Sequence, residues 1–186
     1  MIGKCRCAAL RIIIEGLTPP PVYACHCWSC QAANLRDFTL YVLLPLRNLI
    51  VEGDAKQISS GDVAQYSCDR CGAAVFRHYR TLPGLVVLHA SAIESSISLQ
   101  PVAHVWTKHK RSGVVLPDDV PSWTEFPSLS ALVDALGIIV AYGGAGDEVW
   151  TREGREAFSP STETTFCSSS TGLARHSNVP RPVPSR

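Results

Sequence analysis

Residues 68–79 read Cys-Asp-Arg-Cys-Gly-Ala-Ala-Val-Phe-Arg-His-Tyr, and this stretch decides the kind of chain at hand. Cys68-Asp69-Arg70-Cys71-Gly72 is a CxxC turn followed by glycine. Such a knuckle aims two thiolates at one point, and the glycine relieves the backbone where it turns past the sulfurs. Directly after it, residues 73–79 alternate, with Val75 and His78 bracketing Phe76, which is the period of a strand. A metal-binding turn that runs straight into a strand points to a β domain tied by an ion.

Working outward, the same punctuation recurs. Residues 5–15 (CRCAALRIIIE) hold a β-branched run that stops at Gly16 and the Pro19-Pro20-Pro21 break. Residues 22–27, 38–44, 49–52, 85–89 and 104–107 are further short extended pieces bounded by Pro, Gly or polar turns. This pattern predicts a mainly β, zinc-stabilised sheet domain over 1–127, not a βαβ array. Beyond it, Leu129, Leu132, Val133, Leu136 and Val140 fall at helical spacing, with Ser128 as N-cap and Gly143-Gly144 as stop. Residues 128–158 therefore read as a helical extension that packs on the β domain or on a second subunit of a homo-oligomer. From 159 to 186 the chain is Ser-, Thr- and Pro-rich without periodicity, the composition of a disordered tail.

The charge balance narrows function. Against 17 Lys and Arg stand 16 Asp and Glu, a net charge of +1, whereas a chain built to neutralise phosphates carries a clear basic excess. The run Lys108-His109-Lys110-Arg111 is too isolated to count as a nucleic-acid patch and reads as an exposed turn. The apolar stretches are far shorter than a membrane span, and no basic-then-apolar leader opens the sequence. A cytoplasmic location is the default expectation, with neither nucleic acid nor membrane as partner.

That location matters for the 8 cysteines, because in a reducing compartment close clusters favour metal over disulfides. On a strand, Cys5 and Cys7 would face the same side about 6.6 Å apart and lean toward one ion. With Cys68 and Cys71 they make four thiolates, the donor set of a closed structural zinc site. The middle group, Cys25-His26-Cys27-Trp28-Ser29-Cys30, offers three thiolates, and His26 alternates out of phase with its neighbours. Three protein ligands and one open position mark a catalytic zinc, here one suited to holding an incoming thiol as thiolate. Disulfides, or a single closed site using four to six of these cysteines, are the alternatives. Cys167 stands alone and reads as an unligated thiol.

CxC near the N-terminus, CHCxxC about twenty residues on and CxxCG about forty later resemble the glutathione-dependent formaldehyde-activating enzyme family, which includes centromere protein V. The stretch His104-Val105-Trp106 and then Asp118-Asp119-Val120-Pro121 is similar to the ending of that domain, so the resemblance spans about 2–127. It implies a β-rich fold with two zinc ions: a structural one on Cys5, Cys7, Cys68 and Cys71, and a catalytic one on Cys25, Cys27 and Cys30. The activity it implies is a carbon–sulfur lyase reaction joining glutathione, or another small thiol, to formaldehyde or a similar carbonyl. Two departures stand out. A glycine common after the first CxC is replaced by Ala8, and the basic residue and glycine common after CHCxxC appear as Gln31-Ala32-Ala33-Asn34.

Glutathione carries two carboxylates, which makes Arg70 and Arg77 the candidate basic partners nearest in sequence. His104 is the candidate acid or base, and Trp28 the candidate wall of the pocket. Two other readings share the scaffold: a lyase or isomerase acting on a different carbonyl or sulfur metabolite, and a non-catalytic zinc-stabilised binding module whose terminal helix docks a partner.

Overall fold

The computed structural model describes residues 1–17, 19–94 and 99–138, together with the backbone of strands at 150–151 and 154–157. The chain is mainly β and folds as two sheets. The smaller is ordered β1 (Ile2–Lys4), β2 (Arg11–Ile14), β5 (Leu49–Glu52), β11 (Trp150–Thr151) and β12 (Gly154–Ala157). The larger is ordered β10 (His104–Val105), β3 (Val22–Cys25), β4 (Thr39–Pro45), β9 (Leu85–His89), β8 (Ala74–Tyr79), β7 (Val63–Cys68) and β6 (Ala55–Ser60). Its pairings are antiparallel except β10 on β3.

Period-two alternation in the large sheet separates two cores, because successive side chains leave opposite faces. Val22, Val42, Leu44, Phe76, Val86 and Leu88 face inward and pack against Ile12, Ile14, Leu49 and Val51 of the small sheet. Tyr23, Cys25, Tyr41, Leu43, Leu85 and Val87 leave the other face and meet Leu132 and Val133 of α2 (Leu129–Ala135) and its C-cap Leu136. Both faces are covered, so β3 and β9 are buried along their whole length and read as unbroken apolar runs.

The expectation for 5–15 needs correction. The first strand ends at Lys4, residues 5–10 turn, and pairing resumes at Arg11, so Cys5 and Cys7 sit in a turn and not on a strand. The turn has little room: Gly53 (φ +94°) passes so close that a Cβ there would fall 2.1 Å from the Ala9 carbonyl oxygen. The extended reading of 22–27 also overruns, since β3 stops at Cys25 and α1 (Trp28–Asn34) begins. Cys27 is the N-cap of that helix, its Sγ accepting the Cys30 N–H at 3.4 Å. The hairpin β6–β7 gives no clear signal in the sequence, because β6 is an exposed edge strand carrying Lys56, Gln57, Ser59 and Ser60.

Ser128 caps α2 as expected, accepting the Ala131 N–H at 3.2 Å, but the helix closes at Leu136 and Gly137 (φ +63°) and is shorter than 129–140. Its buried residues belong to the outer core of this same chain. The Gly143-Gly144 stop, the tail from 159 and Cys167 lie outside the described residues. No helix among the described residues is long and apolar enough to cross a membrane.

Candidate metal centres

The cysteines from 5 to 71 are free thiols gathered in two groups: Cys5, Cys7, Cys68 and Cys71 in one, and Cys25, Cys27 and Cys30 in the other. Within each group all sulfurs lie within 4.8 Å of one another. Four sulfurs at zinc–sulfur bond length on a tetrahedron stand about 3.8 Å apart. The separations of 3.5 Å between Cys5 and Cys7 and 3.7 Å between Cys7 and Cys68 match that requirement.

In the four-cysteine group, backbone hydrogen bonds fix the turns that bring the sulfurs together. Cys5 accepts the Leu10 N–H on its sulfur at 3.3 Å. The knuckle is closed by the Cys68 N–H to the Ala73 carbonyl (2.9 Å) and the Gly72 N–H to the Cys68 carbonyl (2.8 Å), with Gly72 at φ +69°. A register shift at Tyr66/Ser67 lets β7 and β8 re-pair beside it. Burial opposes ionisation of Cys5, but the Leu10 N–H and the Cys68 and Cys7 thiols outweigh it and lower the group to about 6. At Cys7 the Ala9 N–H pulls down, while burial and the Cys5, Cys71 and Cys68 thiols push it up to about 11. Crowded thiols that split their proton affinities this way need a cation before all can be thiolates.

The three-cysteine group lies on the outer face of the large sheet. Cys25 ends β3 in register with Thr39, and Cys30 returns from the first turn of α1. Cys25 and Cys30 are buried, while Cys27 is partly exposed. Tyr41, two residues along β4 from Thr39, places its hydroxyl 3.3 Å from the Cys30 sulfur. Contact with Cys25 lowers Cys30 to about 5 against the effect of burial, and the Tyr41 hydroxyl and Cys27 assist. Cys25 is driven strongly upward by Cys30 and by burial. Among the described residues no fourth His, Cys, Asp or Glu joins the three sulfurs.

The other candidates are sorted by the fold. Arg77 is half-buried on the same face, its guanidinium 6.0 Å from the Tyr41 ring centroid and its Nε donating to Gln65 Oε1 at 3.1 Å. Burial works against its charge, but Tyr41, Tyr79 and Cys30 outweigh that effect. Arg70 instead is exposed in the turn between Cys68 and Cys71, at the other cluster. His104 is buried, and its Nδ1 meets His26 Nε2 at 3.0 Å. Burial first, then the His104 and Lys110 charges, lower His26 to about 4, and burial lowers His104 as well.

Trp28 does not enter the core. It is 71% exposed and borders a cavity of ≈390 Å³ with Gln31, Lys108, His109, Lys110 and Arg111. The Lys108–Arg111 run is thus a wall of that cavity and not a bare turn, its first half wound into a short 3₁₀ segment over Thr107–His109. Sequence reasoning missed Tyr41 and Gln31, since neither contact is visible without the strand register and the return of the distant loop.

Residues 1–109 match the family described as glutathione-dependent formaldehyde-activating enzyme. The chain belongs to that family. Its cysteine clusters both lie inside the matched span, whereas Lys110, Arg111 and α2 lie beyond it. A crystal structure of a Rhodobacter sphaeroides protein is similar at 21% identity, covering 52% of this chain and 91% of that one, with a TM-score of 0.43. No curated protein matches the chain.

Proposed function

We propose that the chain adds a small thiol such as glutathione to a small aldehyde, or cleaves the adduct, as a carbon–sulfur lyase. One observation carries the reading: Cys25, Cys27 and Cys30 form an incomplete donor set, and the helix that bears Cys30 borders an open cavity. In this reading the protein takes two zinc ions, one on Cys5, Cys7, Cys68 and Cys71 and one on Cys25, Cys27 and Cys30. Bound to the three-sulfur set, the metal supplies a positive centre that keeps an incoming thiol ionised at neutral pH.

The chain's own residues then set the conditions. Tyr41 stabilises the Cys30 thiolate by its hydroxyl, and Arg77 behind the ring balances the negative charge that the sulfurs accumulate. Arg77 therefore acts here on the sulfurs and not on a glutathione carboxylate, and Arg70 takes no part. His104 acts as a positioning residue: it holds His26, and with it the backbone between Cys25 and Cys27. The reaction joins the thiol sulfur to the carbonyl carbon while the thiol proton ends on the former carbonyl oxygen.

Metal analysis and exchange NMR of glutathione with formaldehyde test the reading. Two zinc ions per chain and catalysed formation of the hydroxymethyl thioether are expected, with one zinc and no turnover in Cys27→Ser. Fewer than two zincs in the wild type, or wild-type turnover in Cys27→Ser, would falsify it. Gln31 stands where a basic residue is common in the family, which favours a second reading, a lyase or isomerase acting on a different carbonyl or sulfur metabolite. Strict dependence on formaldehyde across a carbonyl series excludes that version. A binding module without chemistry is the remaining reading, and it requires a fourth protein ligand on the three-sulfur set.

A further inference from the structure

The two edges of the large sheet are treated differently. At the β10 edge a later segment covers the strand: the His104 N–H donates to the Pro121 carbonyl (2.8 Å) and the Trp123 N–H to the His104 carbonyl (2.9 Å). At the other edge, β6 pairs with β7 and has no second backbone partner among the described residues. Exposed edges are commonly blunted by proline, a bulge or several charges. β6 has little of this. Its 6 residues stay in unbroken register with β7, from Ala55 opposite Cys68 to Ser60 opposite Val63, and Lys56 is its one charge.

Two hydrogen bonds fix which backbone groups point outward. The Asp69 N–H donates to the Asp54 carbonyl, and the Arg80 N–H donates to the Asp62 carbonyl. Such bonds recur at every second residue of an antiparallel pair. The first therefore sets Lys56, Ile58 and Ser60 bonding to β7, and the second leaves Val63, Gln65 and Ser67 of β7 to receive them. Ala55, Gln57 and Ser59 then present N–H and C=O to the open side. Ile58, in the middle of the strand, is 54% exposed. On the opposite face Gln57 Nε2 donates to Ser59 Oγ (2.8 Å), while Gln57 Oε1 is buried without a hydrogen-bond partner among the described residues.

We propose that β6 is a dimer interface, pairing antiparallel with β6 of a second copy of this chain about a two-fold axis at Ile58. An axis perpendicular to the sheet keeps each face on its own side, so only residues of the same face stand opposite one another. Centred on Ile58, the pairing sets Ile58 against its own copy where side chains come closest, and Gln57 against Ser59 with their backbone bonds exchanged. Lys56 then faces uncharged Ser60, and the two Lys56 stand about 14 Å apart, beyond the screening length of physiological salt. The Ser59 hydroxyl of the second copy lies across from Gln57 on the same face, a donor for its unanswered oxygen. A centre at Gln57 would set Lys56 against Ile58, and one at Ser59 would run Gln57 past the strand end to Gly61. The strand thus complements itself in one register. The interface lies at the far end of the strand order from Cys25 and leaves the proposed thiol site open on each copy.

Sedimentation velocity of the full-length, zinc-loaded protein tests this over about a hundredfold range of concentration. The mass is expected to rise from that of one chain toward that of two. Ile58→Lys sets like charges face to face and should weaken association about tenfold. Gln57→Pro removes an N–H that the dimer alone uses and should weaken it at least as much. Thermal melts of both variants should stay near the wild type, since neither change touches the pairing of β6 with β7. On mild oxidation Ile58→Cys should link two copies through a disulfide at the axis, whereas Lys56→Cys, held far from its own copy, should not. A monomer at every concentration, the result expected if residues 159–186 of the same chain cover the strand, overturns the proposal. So does association that both substitutions leave unchanged, or a Lys56→Cys protein that crosslinks as readily as Ile58→Cys.

Discussion

The two cysteine groups differ less in their sulfurs than in what surrounds them. Cys5 and Cys68 belong to the inner core between the sheets, and their group brings four sulfurs together from two tight turns. Cys25 and Cys30 belong to the outer core, and their group brings three sulfurs from a strand end and a helix start. Around the first, backbone N–H groups and a knuckle glycine close the shell. Around the second stand a tyrosine hydroxyl, a half-buried arginine, buried histidines and a cavity. In the function proposed here, the four-sulfur set, half of it buried, holds structure, and the three-sulfur set on a lined face receives a ligand.

The sharpest way to break this contrast is to remove one sulfur from each group. Cys68→Ala is expected to lose one metal and the cooperative fold, since metal binding in such sites contributes on the order of 10 kcal/mol to folding. Cys27→Ala is expected to lose one metal and activity while keeping a cooperative thermal transition, because the strand and α2 contacts of the outer core remain. Metal content with circular dichroism melts checks both. A folded, stable Cys68→Ala protein would erase the distinction.

A second test uses the histidines of the outer face. His89 pairs with Tyr41 across β9 and β4, and its Nε2 is buried without a hydrogen-bond partner among the described residues. Burial first, then the Arg77 charge, lowers it to about 4. The unfolded chain binds this proton below about pH 6.5, whereas the folded chain resists it down to about pH 4. Stability linked to His89 is therefore full above pH 6.5 and is lost as pH falls through that window, on the order of 3 kcal/mol in all. Replacing His89 by Phe should flatten the pH dependence of the unfolding free energy by that amount between pH 7 and 4. A variant as acid-sensitive as the wild type would show that the loss arises elsewhere, at the buried His26 and His104 or at the sulfurs.

Between the two groups, the sequence spoke clearly about which residues meet and poorly about how. CxC, CHCxxC and CxxCG spacing announced the donor sets, because ligand chemistry restricts residue type and separation. The strands over 49–52 and 85–89 were legible to the residue, since β-branched runs between breakers have one reading. The turn holding Cys5 and Cys7 was not, because apolar Ala8, Ala9 and Leu10 imitate a strand, whereas residues 5–10 turn to bring Cys5 and Cys7 to Cys68 and Cys71. Nor was the contact of Tyr41 with Cys30, which depends on the pairing of Tyr23 with Tyr41 and Cys25 with Thr39. Gln31 looked like a lost charge. The fold shows it as the clamp that brings Arg111 to that place.

Tyr41 gives a smaller and more selective test. The hydroxyl contributes one hydrogen bond to a thiolate, so Tyr41→Phe should lower turnover about tenfold, while the ring stays packed on Tyr23 at 5.6 Å. Melting should move little, and metal affinity at Cys25, Cys27 and Cys30 should weaken at mildly acid pH, where Cys30 is no longer kept ionised. Zinc release followed against a colorimetric chelator from pH 7.5 to 5.5 checks this. Unchanged release would mean that the hydroxyl serves packing alone.

The smallest effect lies in the closed group and runs the other way, toward greater stability. Ala8 stands at φ +61°, a left-handed conformation in which Cβ crowds the carbonyl, and its N–H donates to the Cys5 carbonyl at 3.0 Å to close the turn. The conformation is imposed by the approach of Cys5 and Cys7 to the knuckle and costs an alanine about 1 kcal/mol. Ala8→Gly removes that strain but adds freedom to the unfolded chain, which offsets part of the gain. A net stabilisation of about 0.5 kcal/mol is expected in denaturant unfolding of the zinc-loaded protein. Removing the zinc should abolish the cooperative transition of both proteins alike, as in Cys68→Ala, and with it the gain. A gain that persists after metal removal would place the strain in the β1–β2 turn itself, and the closed group would then be fitted to a preformed loop.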